Sequence, residues 1–340
     1  MAQSLDSVPS VTPEDIRDNQ ITLSNAKDSP DILKESNWFK SHKIFQSLDA
    51  GVSVGSLGLG LSLKTNVTKW ADIRVGVDWL PKISLPLNFN LSTYSDGLPT
   101  GNFNQVAQMF YDQTGIAIDE KVRVHGDGQM INFKFLVDFY PVPANRHWHI
   151  TAGFLAGTSK IGKAYNFYDE KPTLVALNVY NRAYEYFTNP DLSIFDVPLG
   201  GGVYMDPDLV EKLQERFARY GRMGICVGYF KDDGSAYIME PSPDGNVTAQ
   251  AFVNHMKPYL GAGYSAALDK SGRWNLGVDL GVLFWGGVPD VINYDYANQR
   301  KVSFTHDLTN LRGRINKYMK IIKCFPVYPV LEIRFSYNIL

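Results

Sequence analysis

Val327-Tyr-Pro-Val-Leu-Glu-Ile-Arg-Phe-Ser-Tyr-Asn-Ile-Leu340 alternates large apolar residues with polar or charged ones up to its last position. Successive side chains of a strand point to opposite faces. Leu331, Ile333, Phe335, Tyr337 and Ile339 therefore share one face, and Glu332 and Arg334 share the other. Such a segment predicts the closing strand of a transmembrane β-barrel, with the apolar face on lipid.

The same period recurs upstream. Leu48, Ala50, Val52 and Val54 alternate with Asp49, Gly51 and Ser53. After the turn signal Gly55-Ser56, Leu57, Leu59, Leu61 and Leu63 alternate with Gly58, Gly60, Ser62 and Lys64. Ala71, Ile73, Val75, Val77 and Trp79 alternate with Asp72, Arg74, Gly76 and Asp78. Ile131–Phe139, Trp148–Phe154, Leu260–Leu268 and Leu276–Phe284 repeat the pattern. The predicted fold is all-β: a transmembrane antiparallel up-and-down β-barrel of about eight strands, each roughly nine residues long. Extension at Ile83–Thr93 and Val122–His125, or pairing among residues 172–256, leaves ten or more strands open. Trp70, Trp79, Trp148 and Trp274 fall near strand ends, where aromatic girdles belong.

The connections divide by length. Those at 65–69, 141–146 and 269–272 are short, those at about 81–128, 160–256 and 287–325 are long, and only the Gly55-Ser56 hairpin departs from the rule. Short periplasmic turns and long extracellular loops are expected, with both termini periplasmic. Residues 1–45 read as a flexible periplasmic arm and 46–340 as the barrel with its loops. Asp31–Phe45 suggests a short helix or inserted segment. No signal peptide is seen, which suggests that a leader has been removed.

The long loops carry helix signals. Asp206-Pro207 opens Asp208–Tyr220, and Gly221 closes it. Phe103, Val106, Ala107 and Phe110 predict a shorter helix ended by Gly115; Leu308, Leu311, Ile315, Tyr318 and Ile322 predict a third. A β-ribbon is expected around Gly224–Glu240, turned at Asp232-Asp-Gly234.

Net charge is -2, so no nucleic-acid footprint is visible. No apolar run is long enough for a transmembrane helix. A mean hydropathy of -0.18 is compatible with a barrel, where only alternate strand residues meet lipid. Cys226 and Cys324 stand far apart and read as isolated thiols.

The inward set is Asp49, Lys64, Asp72, Arg74, Asp78, Lys134, Asp138, Arg273, Asp279, Glu332 and Arg334. Buried charges must pair, so a sealing ion-pair network is expected, with a gated polar path for a small solute as the alternative. Arg312, Arg314, Lys317, Lys320 and Lys323 form a basic helix face. It suits lipopolysaccharide phosphates, or is merely solvated.

Other chemistry is weakly signalled. Gly157-Thr-Ser-Lys-Ile-Gly-Lys163 approaches a P-loop, but Ala164 lacks the hydroxyl for magnesium and no helix pattern follows. His147 and His149 are spaced to share a face of a strand as a metal pair would, yet no third ligand is evident, and a histidine of the periplasmic turn is the plainer reading. No cofactor is implied. A lipid A-modifying enzyme would need Ser and His at one height, and no such pairing is evident.

With the strands in place, the chain resembles the uncharacterised outer-membrane β-barrel proteins of Bacteroidetes. The residues are Gly51-Val-Ser-Val-Gly-Ser-Leu-Gly-Leu-Gly60, Ile73-Arg-Val-Gly76, Leu136-Val-Asp-Phe-Tyr-Pro141, Thr151-Ala-Gly-Phe154, Lys257-Pro-Tyr-Leu-Gly-Ala-Gly263 and Val327-Tyr-Pro-Val-Leu331. The resemblance implies an outer membrane and surface loops, and carries over no catalytic residue. The expected role is a non-enzymatic anchor or accessory subunit that meets partners through its loops. The alternatives are a small channel and a lipid A-modifying enzyme. Expected partners are outer-membrane lipids, lipopolysaccharide, and other outer-membrane proteins or surface lipoproteins.

Overall fold

A computed structural model of the chain describes residues 45–340. The predicted arm, with the Asp31–Phe45 segment, lies outside the described residues except for Phe45. The strands of the first half are β1 (Leu48–Gly55), β2 (Gly58–Thr68), β3 (Ala71–Asn90), β4 (Ser92–Ser95), β5 (Leu98–Pro99), β6 (Lys121–Phe139), β7 (Trp148–Gly157), β8 (Lys160–Asn166), β9 (Pro198–Gly200) and β10 (Val203–Tyr204). Then come β11 (Arg222–Phe230), β12 (Ala236–Met239), β13 (Thr248–Phe252), β14 (Met256–Ala267), β15 (Trp274–Leu283), β16 (Asp290–Asp295), β17 (Arg300–Ser303), β18 (Leu308–Thr309) and β19 (Tyr328–Asn338).

Eight of them close a barrel in the order β1-β2-β3-β6-β7-β14-β15-β19, every neighbour antiparallel. The closing strand β19 places Ile333 opposite Val278 of β15 on one side and Val54 of β1 on the other. The short turns and both ends of the described chain share one rim; the long connections and the Gly55-Ser56 turn share the other.

Of the candidate extensions Ile83–Thr93 and Val122–His125, neither adds a strand to the barrel: Ser92 and Thr93 begin β4, and Ile83–Asn90 and Val122–His125 continue existing strands. They prolong β3 to 20 residues and β6 to 19. The wall therefore rises beyond the barrel on one side. On the flank of β6, β8 takes over from β7; β13 then stands over β14 and β16 over β15, with β17 outermost. Each strand but β6 is interrupted near the same level: a bulge at Pro81-Lys82, and breaks at 158–159, 253–255 and 284–289. A bulge inserts a residue and bends the strand, which lets a closed barrel open into a freestanding sheet.

On the inner face of that sheet, four helices and a second sheet (β12-β11-β4-β5, with β18 on β11) build one apolar core. Val106, Leu177, Met223, Val227, Phe304 and Met319 are at its centre. Helix Phe103–Thr114 ends at Gly115 in the left-handed conformation, as its sequence predicts. In helix Pro207–Tyr220 the Asp206 carboxylate accepts from the Asp208 amide at 2.9 Å. Removing this cap with Asp206→Ala should cost about 1 kcal/mol, seen as roughly fivefold faster amide exchange across 207–220 in the full chain.

One expectation fails here, and one helix has no expectation behind it. Leu308-Thr309 does not begin a helix. It pairs as a strand with Tyr229 and Phe230, and the helix runs over Gly313–Lys323. Asn310 (φ 48°) and Gly313 (φ 55°) are left-handed, a conformation that ends an α-helix. Helix Lys171–Phe187 was not anticipated. Its signal is Pro172 at the first turn, followed by Leu174, Leu177 and Tyr180 at helical spacing, all buried. Thr173, Val175 and Val179 mask it with strand propensity.

Candidate functional site: a charged lumen and a strand that inverts

Alternation decides which side chains enter the barrel. Asp49, Lys64, Asp72, Arg74, Asp78, Lys134, Asp138, Asp279, Glu332 and Arg334 all point inward, as predicted, and join one another. Arg74 is 1% exposed; its guanidinium reaches Asp138 at 2.8 Å, Asp279 at 3.3 Å and Glu332 at 3.9 Å. Lys134 donates to Asp78 at 2.7 Å and to Glu332 at 3.1 Å. Arg334 lies 3.0 Å from Asp279. Nearer the short-turn rim, Lys64 bridges Asp49 (3.4 Å) and Asp72 (3.6 Å). Asp72 also accepts from Tyr140 (2.9 Å) and from Arg146.

Arg273 is the exception and corrects the predicted set. It is exposed in the turn before β15, where its side chain meets the Tyr337 hydroxyl at 3.4 Å. Parity assigns a face only while the chain remains a strand. His149 corrects the opposite way. It is no turn histidine: it is 2% exposed, and its Nε2 bonds Asp279 at 2.7 Å inside the lumen. His147, two residues earlier, is exposed and bonds the Ser265 carbonyl, so the two rings do not converge. The signal for His149 was its alternation with Trp148 and Ile150. Thr151, Lys257 and Tyr259 were likewise missed, and all three are buried.

Room for these side chains comes from small residues on neighbouring strands. A methyl group on Gly263 would lie 2.5 Å from both Asp279 Oδ1 and His149 Nε2.

The lumen has three levels. At the short-turn rim a polar cup of about 510 Å³ opens outward, lined by Asp49, Lys64, Asp72, Arg146 and Asn338. The ion-pair network fills the middle. Toward the long-loop rim, Leu57, Met130, Leu155, Leu283 and Val330 close the barrel as an apolar layer. A solute path would have to break both the network and this layer.

The outside reads differently along its height. From Phe139 to Ile131 the outward residues of β6 are Phe139, Val137, Phe135, Phe133 and Ile131, with Phe133 64% exposed. At Gln129 the series changes to Gln129, Asp127, His125, Arg123 and Lys121. The inward series changes at the same level: Asp138, Lys134 and Asn132, with the single apolar Leu136 among them, give way to Met130, Val124 and Val122. One continuous strand is thus polar inside and apolar outside in the barrel, then apolar inside and polar outside above it. Rings mark the rim below: Trp70 stacks on Phe139 (5.8 Å), Trp274 on Phe335 (4.9 Å), and Trp148 meets Tyr264 edge-on (5.0 Å). Trp79 stands half-exposed near the upper boundary.

The basic helix does not present one face. Arg312 donates to the Gly97 carbonyl at 3.0 Å, bonds the Tyr229 hydroxyl and covers that ring at 4.9 Å. Arg314 donates to the Asn88 carbonyl at 3.1 Å. Lys317, Lys320 and Lys323 are exposed. The helix packs Ile315 and Met319 near Leu87 and Phe89, on the inner face of the raised sheet. Gly157–Lys163 passes from β7 into β8, so no helix N-terminus faces a phosphate there. Cys226 is buried, and burial pushes its thiol up; Cys324 is exposed at the end of helix Gly313–Lys323.

No protein-family model matches the chain, and no curated protein sequence matches it. Among solved structures it is similar to CarO2 of Acinetobacter baumannii, at TM-score 0.36 and 10% identity over 87% of this chain and 99% of that one. It is also similar to CarO of the same organism, at TM-score 0.35 and 12% identity over 85% and 96%. Likenesses this distant carry no argument about role.

Proposed function

We propose that the protein is an integral outer-membrane barrel that anchors a folded surface module and offers it to a partner, without catalysing a reaction or conducting a solute. The inversion along β6 carries this reading. Apolar side chains facing outward on successive strands are unfavourable in water and favourable in lipid. The point where the series turns polar marks the edge of the hydrocarbon. Along β19, Leu331 to Tyr337 spans roughly 20 Å, or about 15 Å of membrane once tilted, and Ile339 just past the strand extends the apolar face. The wall of the barrel is also the base of the module, so the module is held at a set height and angle.

The long-loop side then faces outward and both chain ends face the periplasm. Lipopolysaccharide, other outer-membrane proteins and surface lipoproteins are the proposed neighbours. Membership of the Bacteroidetes barrels rests on the quoted motifs alone. The buried network and the apolar layer weigh against the channel alternative.

Cysteine labelling tests the orientation. An impermeant maleimide added to intact cells should modify Cys324 and spare Cys226 until the protein is denatured. Labelling of Cys324 only after the outer membrane is breached would place the module on the periplasmic side and overturn the reading. Pull-down from native membranes tests the role, and recovery of the barrel with no co-purifying protein would count against it.

A further inference from the structure

We propose that Lys82, Lys160 and Lys163, with the Tyr165 hydroxyl, bind the phosphate of a lipid headgroup in the leaflet at the long-loop rim. This rests on the membrane reading above.

The first ground is position. Asp127 is on the outward face of β6, four residues beyond lipid-facing Ile131, in register with Lys163 of β8 on one side and Ser84 of β3 on the other. Lys82 occupies the bulge of β3, three residues past half-exposed Trp79. The cluster therefore continues the outward surface that meets lipid, just past the level where it turns polar. Phosphates of a bilayer lie at that height. The lysines of helix Gly313–Lys323 are over the opposite, inner face of the sheet, above the barrel rather than beside the lipid.

Geometry is the second. Lys82, Gln129, Lys160, Lys163 and Tyr165 line a cavity of about 230 Å³, with Asp127 on its wall. The Lys82 ammonium is 2.8 Å from Asp127 and 3.3 Å from the Tyr165 hydroxyl, and Lys163 lies 5.2 Å from the Tyr165 ring centre. Tyr165 is thereby held with its hydroxyl toward the cavity.

Charge is the third. Asp127 offsets one of the three cations. Among the ion pairs of the described residues, Lys160 and Lys163 have no carboxylate partner, and both are exposed. Two unmatched ammonium groups, a phenol and the Gln129 amide give a phosphate oxygen several donors at once. An exposed ammonium gains most from an anion at a membrane surface, where the local negative potential adds to the contact.

The test uses the full chain inserted into phosphatidylcholine vesicles doped with phosphatidic acid, then extracted in mild detergent for native mass spectrometry. The wild type should retain phosphatidic acid over phosphatidylcholine. Lys160→Gln with Lys163→Gln should lower that preference by roughly twenty-five-fold, about fivefold for each lysine. Lys160→Arg with Lys163→Arg should preserve it, as should Lys317→Gln with Lys320→Gln. Normal insertion with unchanged lipid retention in the Gln pair overturns the site alone. Full displacement of the lipid by excess inorganic phosphate overturns the lipid as ligand. Loss of heat-modifiable migration in the wild type, meaning no insertion, overturns the membrane reading together with the site.

Discussion

Arg74→Ala is expected to destabilise the folded barrel by about 3–5 kcal/mol. The guanidinium is buried and stands between Asp138 and Asp279, with Glu332 close behind. An ion taken out of water loses several kcal/mol of solvation, which its partners restore only while the geometry holds. Removing Arg74 leaves Lys134 to Glu332 and Asp78, and Arg334 and His149 to Asp279. Asp138 keeps only the Thr151 hydroxyl at 2.7 Å. The measurement is denaturant unfolding of the protein in vesicles, followed by tryptophan fluorescence. Adding Asp138→Asn to Arg74→Ala should cost much less than the two changes summed, because it removes the stranded charge. A loss below about 1 kcal/mol for Arg74→Ala would mean that the network is solvated and the lumen open, since exposed ion pairs contribute that little.

Phe133→Arg and Gln129→Arg should differ sharply although the two positions share one face of one strand, four residues apart. Arginine near the bilayer midplane of a barrel costs about 2–4 kcal/mol, falling to about 0–1 near the interface. In water, a substitution at a position as exposed as Phe133 would fall within about 0.5 kcal/mol. Vesicle unfolding of the two variants therefore measures where the hydrocarbon ends. Equal tolerance at both positions would sink the membrane reading. A large loss at Gln129 would instead move the boundary upward and submerge the Lys82 cluster.

Much of this architecture is legible in the sequence. Ten of the inward residues follow from parity, because the period of two is a local property of each strand. The closing strand shows the reason most plainly: Glu332 and Arg334 have no choice of face once Ile333 and Phe335 take lipid. The reading failed where local rules stop. Arg273 obeys the alternation of β15 but lies past its end. His149 obeys it and was set aside for its nearness to a turn. Arg312 and Arg314 look like part of a basic helical face, yet the partners that claim them, the Gly97 carbonyl of a turn and the Asn88 carbonyl of β3, lie more than 200 positions away.

The sequence alone places eight barrel strands, their up-and-down antiparallel order and the polarity of their two faces, since alternation and turns are encoded within ten or so neighbouring residues, while it leaves ten or more strands open. Which charges pair is settled only by the tertiary structure, which joins ion pairs from four strands in mid-lumen, hydrogen-bonds His149 of a fifth to Asp279, and sets an apolar layer above them. Only tertiary pairing could also reveal that Ile83–Asn90 and Lys121–Gly128 carry the wall out of the barrel. In sequence that stretch reads as more alternation. Its polarity inverts at Gln129, where the proposed solvent changes while the backbone does not.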